Sequence, residues 1–419
     1  MEGIRHQIDQ LARRERGRLI ASLVARLGSQ HLELAEDVAQ EALLSALSVW
    51  PFRGMPDNPG AWLTRVAGNK AIDRLRRSGR ELQLDHDWSP DSADGPGDDR
   101  QGELDRLFAI RVPDPELRLM ILACHPDLAG VDRLALTLRV VSGFTARDLS
   151  QVFLTTEAAI AQRLSRARRS LRGDRQSLTG TPNVFEIQSR LESVLKTVYL
   201  MFSLGYAPRS GAALIRRDTA LEAVRLAEEL AAGEATAGSD SRALAALLCL
   251  QASRLDARED EQGRPVLLKD QNRGRWNRAL IDRGMVYLKQ AMHRGVPGRY
   301  HLEAGIASVY ATQPWESIDW PAVLAYYSQL ENMTGSPVVT INACVALAFA
   351  GELEYSLGRL DQLLAQQPAI SSYAPFHIAR GEILRLMNRA EEAADCVQSA
   401  IHAGLSEPVA EHLEMRLSL

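Results

Sequence analysis

Three features of the sequence predict an all-α fold. Its 419 residues are 46% hydrophobic and 24% charged but only 5% aromatic. This profile, rich in Ala, Leu and Arg, suits helices better than sandwiches or barrels. Apolar residues recur at three- and four-residue spacing in one segment after another. The intervening stretches are rich in Gly, Pro and Asp, which break helices. The length exceeds what one hydrophobic core serves, so several domains are expected. The boundaries fall at 1–80, 81–110, 111–175 and 183–419, the second being an acidic flexible linker.

The elements follow in order. Between Glu33 and Trp50, the residues Leu34, Val38, Ala42, Leu43, Ala46, Leu47 and Trp50 form an amphipathic stripe, with Asp37, Gln40, Glu41 and Ser48 on the other face. Pro51 should stop this helix and leave Phe52 to Asp57 as a loop. Asn58-Pro59 reads as an N-cap followed by a first-turn proline. The helix it opens should bury Trp62, Leu63, Val66, Ala67, Ala71, Ile72 and Leu75, and carry Arg65, Asn69, Lys70, Asp73, Arg74, Arg76 and Arg77 outside. The stretch Leu82 to Gly102 is poor in core formers and rich in Asp, Gly, Pro and Ser.

Helical spacing returns near Pro115, through Leu117, Met120, Ile121 and Leu122 and then Leu134, Leu136, Leu138 and Val141. Next, Thr145 caps a short helix running to Phe153, a break follows at Leu154-Thr155, and a longer helix runs from Thr156 to about Arg172. Two helices on so short a turn, the second loaded with Gln162, Arg163, Arg166, Arg168, Arg169 and Arg172, read as a helix-turn-helix. Ala158, Ile160, Ala161, Leu164 and Ala167 should face its core. After Thr179 to Pro182 the pattern is helical to the end. Two helix–turn–helix stretches there turn at Gly351 and Asn388, 37 residues apart and close to the tetratricopeptide period of about 34.

Formal net charge is only −4, yet the charge is segregated. Arg65 to Arg80 is strongly basic and Asp85 to Asp105 strongly acidic, as in a DNA-facing module joined to an acidic spacer. The four cysteines lack metal or disulfide spacing and are expected as small core residues. Without a charged-then-apolar leader or an apolar run of about 18 residues, a cytoplasmic protein with no membrane association is expected. No catalytic constellation, Gly-rich phosphate loop or cofactor motif emerges, so no enzyme, cofactor or metal is expected.

The first 175 residues resemble the two conserved domains of extracytoplasmic-function RNA polymerase sigma factors. AEDVAQEALLSAL resembles their polymerase-binding segment and NPGAWLTRVAGNKAIDRLRR their minus-ten-reading helix. TLRVVSGFTARDLSQVFLTTEAAIAQRLSRARRSLR resembles their minus-thirty-five-reading domain. Downstream, VYLMFSLGYAP, LLKDQNRGRWNRALIDRG and GRYHLEAGIASVYA resemble the subgroup with a tetratricopeptide-like extension, although Ser203 and Leu204 replace an Asn-Glu pair frequent in that subgroup.

The resemblance implies core RNA polymerase, through its beta-prime clamp and beta flap, and promoter DNA as partners. Asp37, Gln40 and Glu41 would contact polymerase. Phe52, Arg53, Asp57, Trp62, Arg65, Asn69, Lys70, Arg74, Arg76 and Arg77 would serve the minus-ten element, the loop from Phe52 to Asp57 receiving an extruded base. Cations on one helix face suit phosphate contact and counterion release. Trp62 also lies on the apolar stripe, so a core anchor competes with base stacking for it. Thr156, Ala159, Gln162, Arg163, Arg166 and Arg169 would serve the minus-thirty-five element, the N-terminal ones within reach of base edges. The linker is readable as plain disorder or as a mimic of nascent RNA. The C-terminal helices are expected to regulate the sigma domains in cis, on binding an unidentified protein or ligand. A helix-turn-helix repressor or activator with a sensing domain remains the rival reading, as does a helical scaffold. Trp276 and Asp319-Trp320 are read as hydrophobic anchors or as part of a partner groove.

Overall fold

The computed structural model describes residues 15–24, 27, 31–77, 110–153, 155–173, 182–206, 216–293 and 296–404. All but the last residue of the expected linker, 81–110, lies outside them. Among the described residues the chain is helical, the exception to coil and turn being one isolated antiparallel bridge between Glu259 and Pro265. It divides into two compact units, Met1–Ala237 and Gly238–Leu419.

The first unit opens with a helical stretch over 15–24 that buries Leu19, Ile20, Leu23 and Val24. Helix α1, Leu32–Arg53, buries Ala35, Val38, Ala39, Ala42, Ala46 and Trp50. This face is narrower than the predicted stripe, for Leu47 is exposed. The helix also runs through Pro51 and takes in Phe52 and Arg53, which the sequence placed in a loop. A proline there withholds one hydrogen bond from the Leu47 carbonyl and crowds it, a cost the helix bears for a single bond because it ends two residues later. Gly54, at φ 82°, ends the helix and donates its N–H to the Trp50 carbonyl at 2.9 Å. In α2, Pro59–Arg77, the Asn58 side chain accepts the Ala61 N–H at 3.0 Å as the cap predicts. Its core face is Leu63, Ala67, Gly68, Ala71 and Leu75. Trp62 is half-buried, its ring edge-on to the buried Trp50 at 5.2 Å.

Four helices follow: α3 (Pro115–Ala123), α4 (Gly130–Ser142), α5 (Ala146–Val152) and α6 (Glu157–Gly173). Thr145 and Asp148 form a full capping box at the start of α5. Ile160, Leu164 and Ala167 hold α6 to the core, but Ala158 and Ala161 are exposed, against expectation. At 100° per residue these two lie a quarter turn or more round the helix from Ile160.

Helices α7, Val184–Tyr206, and α8, Arg217–Ala232, complete the unit. The segment Phe202 to Tyr206 is the last turn and a half of α7. Gly205 explains its local sequence. A Cβ there would stand 2.5 Å from the Ala220 amide nitrogen of α8, so only glycine admits this approach.

The second unit begins with α9 (Ser239–Ala252), which is joined to α10 (Arg278–Met292) by an irregular stretch with short 3-10 turns. There Arg273 lies over the Trp276 ring at 4.3 Å and donates to the Tyr310 and Ala311 carbonyls at 3.1 and 2.9 Å. Trp276 itself is buried beside Leu250 and Ile281, as an anchor. Then come α11 (Arg299–Thr312), α12 (Trp320–Thr334), α13 (Pro337–Phe349), α14 (Leu353–Gln366), α15 (Ala374–Leu386) and α16 (Ala390–His402). The α13–α14 and α15–α16 pairs start 37 residues apart and turn at Gly351 and Asn388, both in the left-handed region. One continuous core runs from Ile341 in α13 to Cys396 in α16, as stacked helix pairs require. All four cysteines are buried and none forms a disulfide.

Replacing Gly205 with Ala should force α7 and α8 apart and cost about 1–3 kcal/mol. A thermal melt unchanged from the parent chain would show that the helices do not meet there.

Candidate polymerase and nucleic-acid surfaces

Helices α1 and α2 present opposite charges to each other. Arg74 donates to Asp37 at 2.9 Å and to Glu41, and Lys70 donates to Glu41 at 3.2 Å. The Lys70 hydrogen bond, reinforced by Arg74, holds the Glu41 carboxyl below its ordinary range, and the Asp37 hydrogen bond leads in raising Arg74. Two of the three predicted polymerase-facing residues are thus partnered with two predicted DNA-facing cations. Gln40 stays exposed beside them. Arg53, Asp57, Arg65, Asn69, Arg76 and Arg77 are exposed, Arg77 also donating to the Asp73 carbonyl. Phe52 is 84% exposed, an unusual position for a phenyl ring.

In the helix-turn-helix, Thr156 caps α6 by accepting the Ala159 N–H at 3.2 Å. Gln162 and Arg169 are exposed, Ala159 and Arg163 half-buried. Arg166 grips Asp132 of α4 through two hydrogen bonds of 2.9 and 3.0 Å. That bidentate geometry is the one guanidinium groups use on phosphates, so Asp132 occupies the fork a phosphate would take.

Sequence reasoning missed a cluster that joins the two modules. Glu36 of α1, 8% exposed, accepts from Arg168 of α6 at 2.8 Å and lies 3.7 Å from Arg16. Arg16 in turn donates to the Arg139 and Val140 carbonyls at the end of α4, at 3.0 and 3.2 Å. Gly17 lies against the Val141 carbonyl, with room for no Cβ. A signal for Glu36 existed: it sits in phase with the apolar positions Ala35, Val38 and Ala39, where a carboxylate needs a cationic partner.

Helices α7 and α8 also grip the second module. Arg190 donates to the Ile121 carbonyl at 3.2 Å, and Arg133 to Ser193 at 2.7 Å. Arg216 pairs with Asp148 at 2.8 Å, within the α5 capping box. Burial alone would raise the Asp148 carboxyl, but hydrogen bonds from Arg216 and Thr145 outweigh it and hold it at about 2. Arg225 reaches Asp114 at 2.6 Å and lies 3.6 Å from Glu116. Burial, with Glu222 and Asp114 nearby, raises the Glu116 carboxyl to about 8. Among the described residues, no group of His, Cys, Asp or Glu could hold a metal ion, and no helix is long and apolar enough to cross a membrane.

An acidic helix packed against a basic one, followed by a basic helix-turn-helix, is the arrangement of a promoter-binding protein of the sigma type. Three family models match the chain: Sigma-70 region 2 over residues 12–81, Sigma-70 region 4 over 118–171, and a family of unknown function, DUF6596, over 190–292. An uncharacterized protein of Rhizobium meliloti is 36% identical over 394 residues, covering 93% of this chain and 90% of its own. The ECF RNA polymerase sigma factor SigM of Mycobacterium tuberculosis is 30% identical over 170 residues, 40% of this chain and 77% of SigM. No solved structure matches. The chain belongs to the ECF RNA polymerase sigma factors, with region 2, region 4 and a large helical C-terminal extension.

Two predictions follow from these pairings. Alanine at Arg65 or Arg76 should lessen the slope of log affinity for DNA against log salt by about 0.9 per lost phosphate contact. Alanine at Arg74, already neutralised by Asp37 and Glu41, should change it less; equal effects in a salt titration would overturn the distinction. For Glu116, an unfolded chain sheds the proton near 4.5 while the folded chain keeps it to about 8. Stability from the neutral form is therefore complete below pH 4.5 and declines as pH rises towards 8. Glu116→Gln should flatten that decline in denaturant titrations.

Proposed function

We propose that this sigma factor waits in a closed state, with region 2 and region 4 tied together, and opens to bind core polymerase. The carrying observation is the 2.8 Å hydrogen bond from Arg168, on the second helix of the helix-turn-helix, to Glu36 on the region 2 helix. The two promoter elements are centred about 25 base pairs apart, on the order of 80 Å at 3.4 Å per pair. A recognition helix in contact with region 2 cannot reach the distant element while region 2 holds the near one. Opening must precede promoter engagement.

In the open state, Asp37, Gln40 and Glu41 face polymerase, with the beta-prime clamp as the partner of α1 and the beta flap as that of region 4. Phe52, Arg53, Asp57, Trp62, Arg65, Asn69, Lys70, Arg74, Arg76 and Arg77 serve the minus-ten element. Exposed Phe52 supports a stacking role, while Trp62, leaning on Trp50, fits a support for the helix pair. Thr156, Ala159, Gln162, Arg163, Arg166 and Arg169 serve the minus-thirty-five element, Arg166 once it has left Asp132. The C-terminal extension regulates in cis. Its first helices, α7 and α8, hold region 4 through Arg190, Arg216 and Arg225, so whatever loosens them loosens region 4.

Purified chain with core polymerase should yield run-off transcripts from a subset of genomic promoters. Glu36→Gln and Arg168→Met, which remove a charged hydrogen bond worth about 1.5–3 kcal/mol, should each tighten core binding about tenfold. Failure of the parent chain to direct any transcript would sink the sigma reading itself. Unchanged core affinity in both variants would sink only the closed state.

A further inference from the structure

The second unit encloses a cavity of about 320 Å³ between the 267–269 stretch, the turn at Trp315, and helices α11, α12, α13 and α15. We propose that it is a binding site for a small, uncharged, ring-bearing molecule with a hydrogen-bond acceptor. The volume falls in the range of small-molecule sites. A protein partner needs about 800 Å² of surface a side, far more than this opening offers.

The walls fix the ring. Trp320 and Phe349 lie nearly parallel, 15° apart with centroids at 6.0 Å, and Trp315 stands edge-on to both at 5.4 and 5.0 Å. All three are only half-buried, whereas Trp50 and Trp276 are sealed in their cores. Aromatic faces left open around a recess favour a flat partner that stacks or meets them edge-on.

The polar groups fix the rest of the ligand. Lys269 lines the cavity with its ammonium 3.9 Å from the Glu382 carboxylate, beyond hydrogen-bond length. Glu382 is instead engaged by Arg385 at 3.0 and 3.2 Å. The Lys269 donors therefore remain available to an acceptor on a bound molecule. Net charge there is balanced: Lys269 and Arg385 stand against Glu382 and Asp270, which argues against a charged ligand. Tyr310 and Tyr327 also line the cavity, their hydroxyls neighbours of each other, and burial pushes Tyr310 up to about 12, so both are neutral there. The loop bearing Lys269 is pinned by Arg273, which clamps it to the end of α11.

Aminomethylcoumarin, an uncharged fused ring with a carbonyl acceptor, is a direct probe for fluorescence polarisation with the full chain. No polymerase or DNA takes part, so the outcome is independent of the transcription reading. Saturable one-to-one binding is expected. Ile378→Trp, at a half-buried wall position, should fill the cavity and abolish it. Lys269→Met should weaken it about tenfold with the melting temperature unchanged. If Ile378→Trp lowers helicity, Lys269→Met decides alone. Non-saturable binding, or parent affinity in Lys269→Met, overturns the site. Tighter binding of a coumarin carboxylate overturns the uncharged class.

Discussion

Glu36 is a carboxylate in an apolar stripe, and its surroundings explain much of the first unit. A buried charge without partners is costly, and one with a single partner is vulnerable. Here guanidinium groups converge from two directions, Arg168 from the recognition helix and Arg16 from the N-terminal stretch. Arg16 extends the tie to the carbonyls at the end of α4. Region 2 and region 4 therefore share one electrostatic centre. Such a tie is strong as a unit but discrete, and discreteness is what a two-state switch needs.

The same logic shapes the outer faces. A basic helix that must stay folded without DNA benefits from internal anions, and Asp37, Glu41 and Asp132 supply them. The Asp37 and Glu41 contacts are open to solvent, so each contributes little to stability in salt, whereas Asp132 is buried beneath an exposed Arg166. Their larger effect is on binding: a cation that must first leave a carboxylate gains less from a phosphate. Arg65, Arg76 and Arg169 carry no such debt, which separates residues that the sequence presents as equivalent.

Much of the fold was legible because it is written locally. Asn58 and Thr145 act as the caps they resemble, and the 3.6-residue period located the helices of both sigma regions. What was not legible depends on partners far along the chain. Arg168 and Glu36 are 132 residues apart, and no periodicity announces their meeting. Pro51 misled because the cost of a proline depends on its distance from the helix end. Ala158 and Ala161 misled because alanine is apolar enough for a core and small enough for a surface. Nothing in the local sequence announces that Gly205 serves a close helix contact. In the candidate site the pairings of the named residues were not legible, and the aromatic recess draws on six separate segments that no linear pattern joins.

The recess lies where α13 of one helix pair meets α15 of the next, roofed by α11 and α12. In a stacked array each pair touches only its neighbours, and stiffness is the sum of those few contacts. An occupant here would act as a rivet between successive pairs, adding contacts across a joint beside their shared core. Its mechanical effect would be to make the array resist flexing while every helix kept its place.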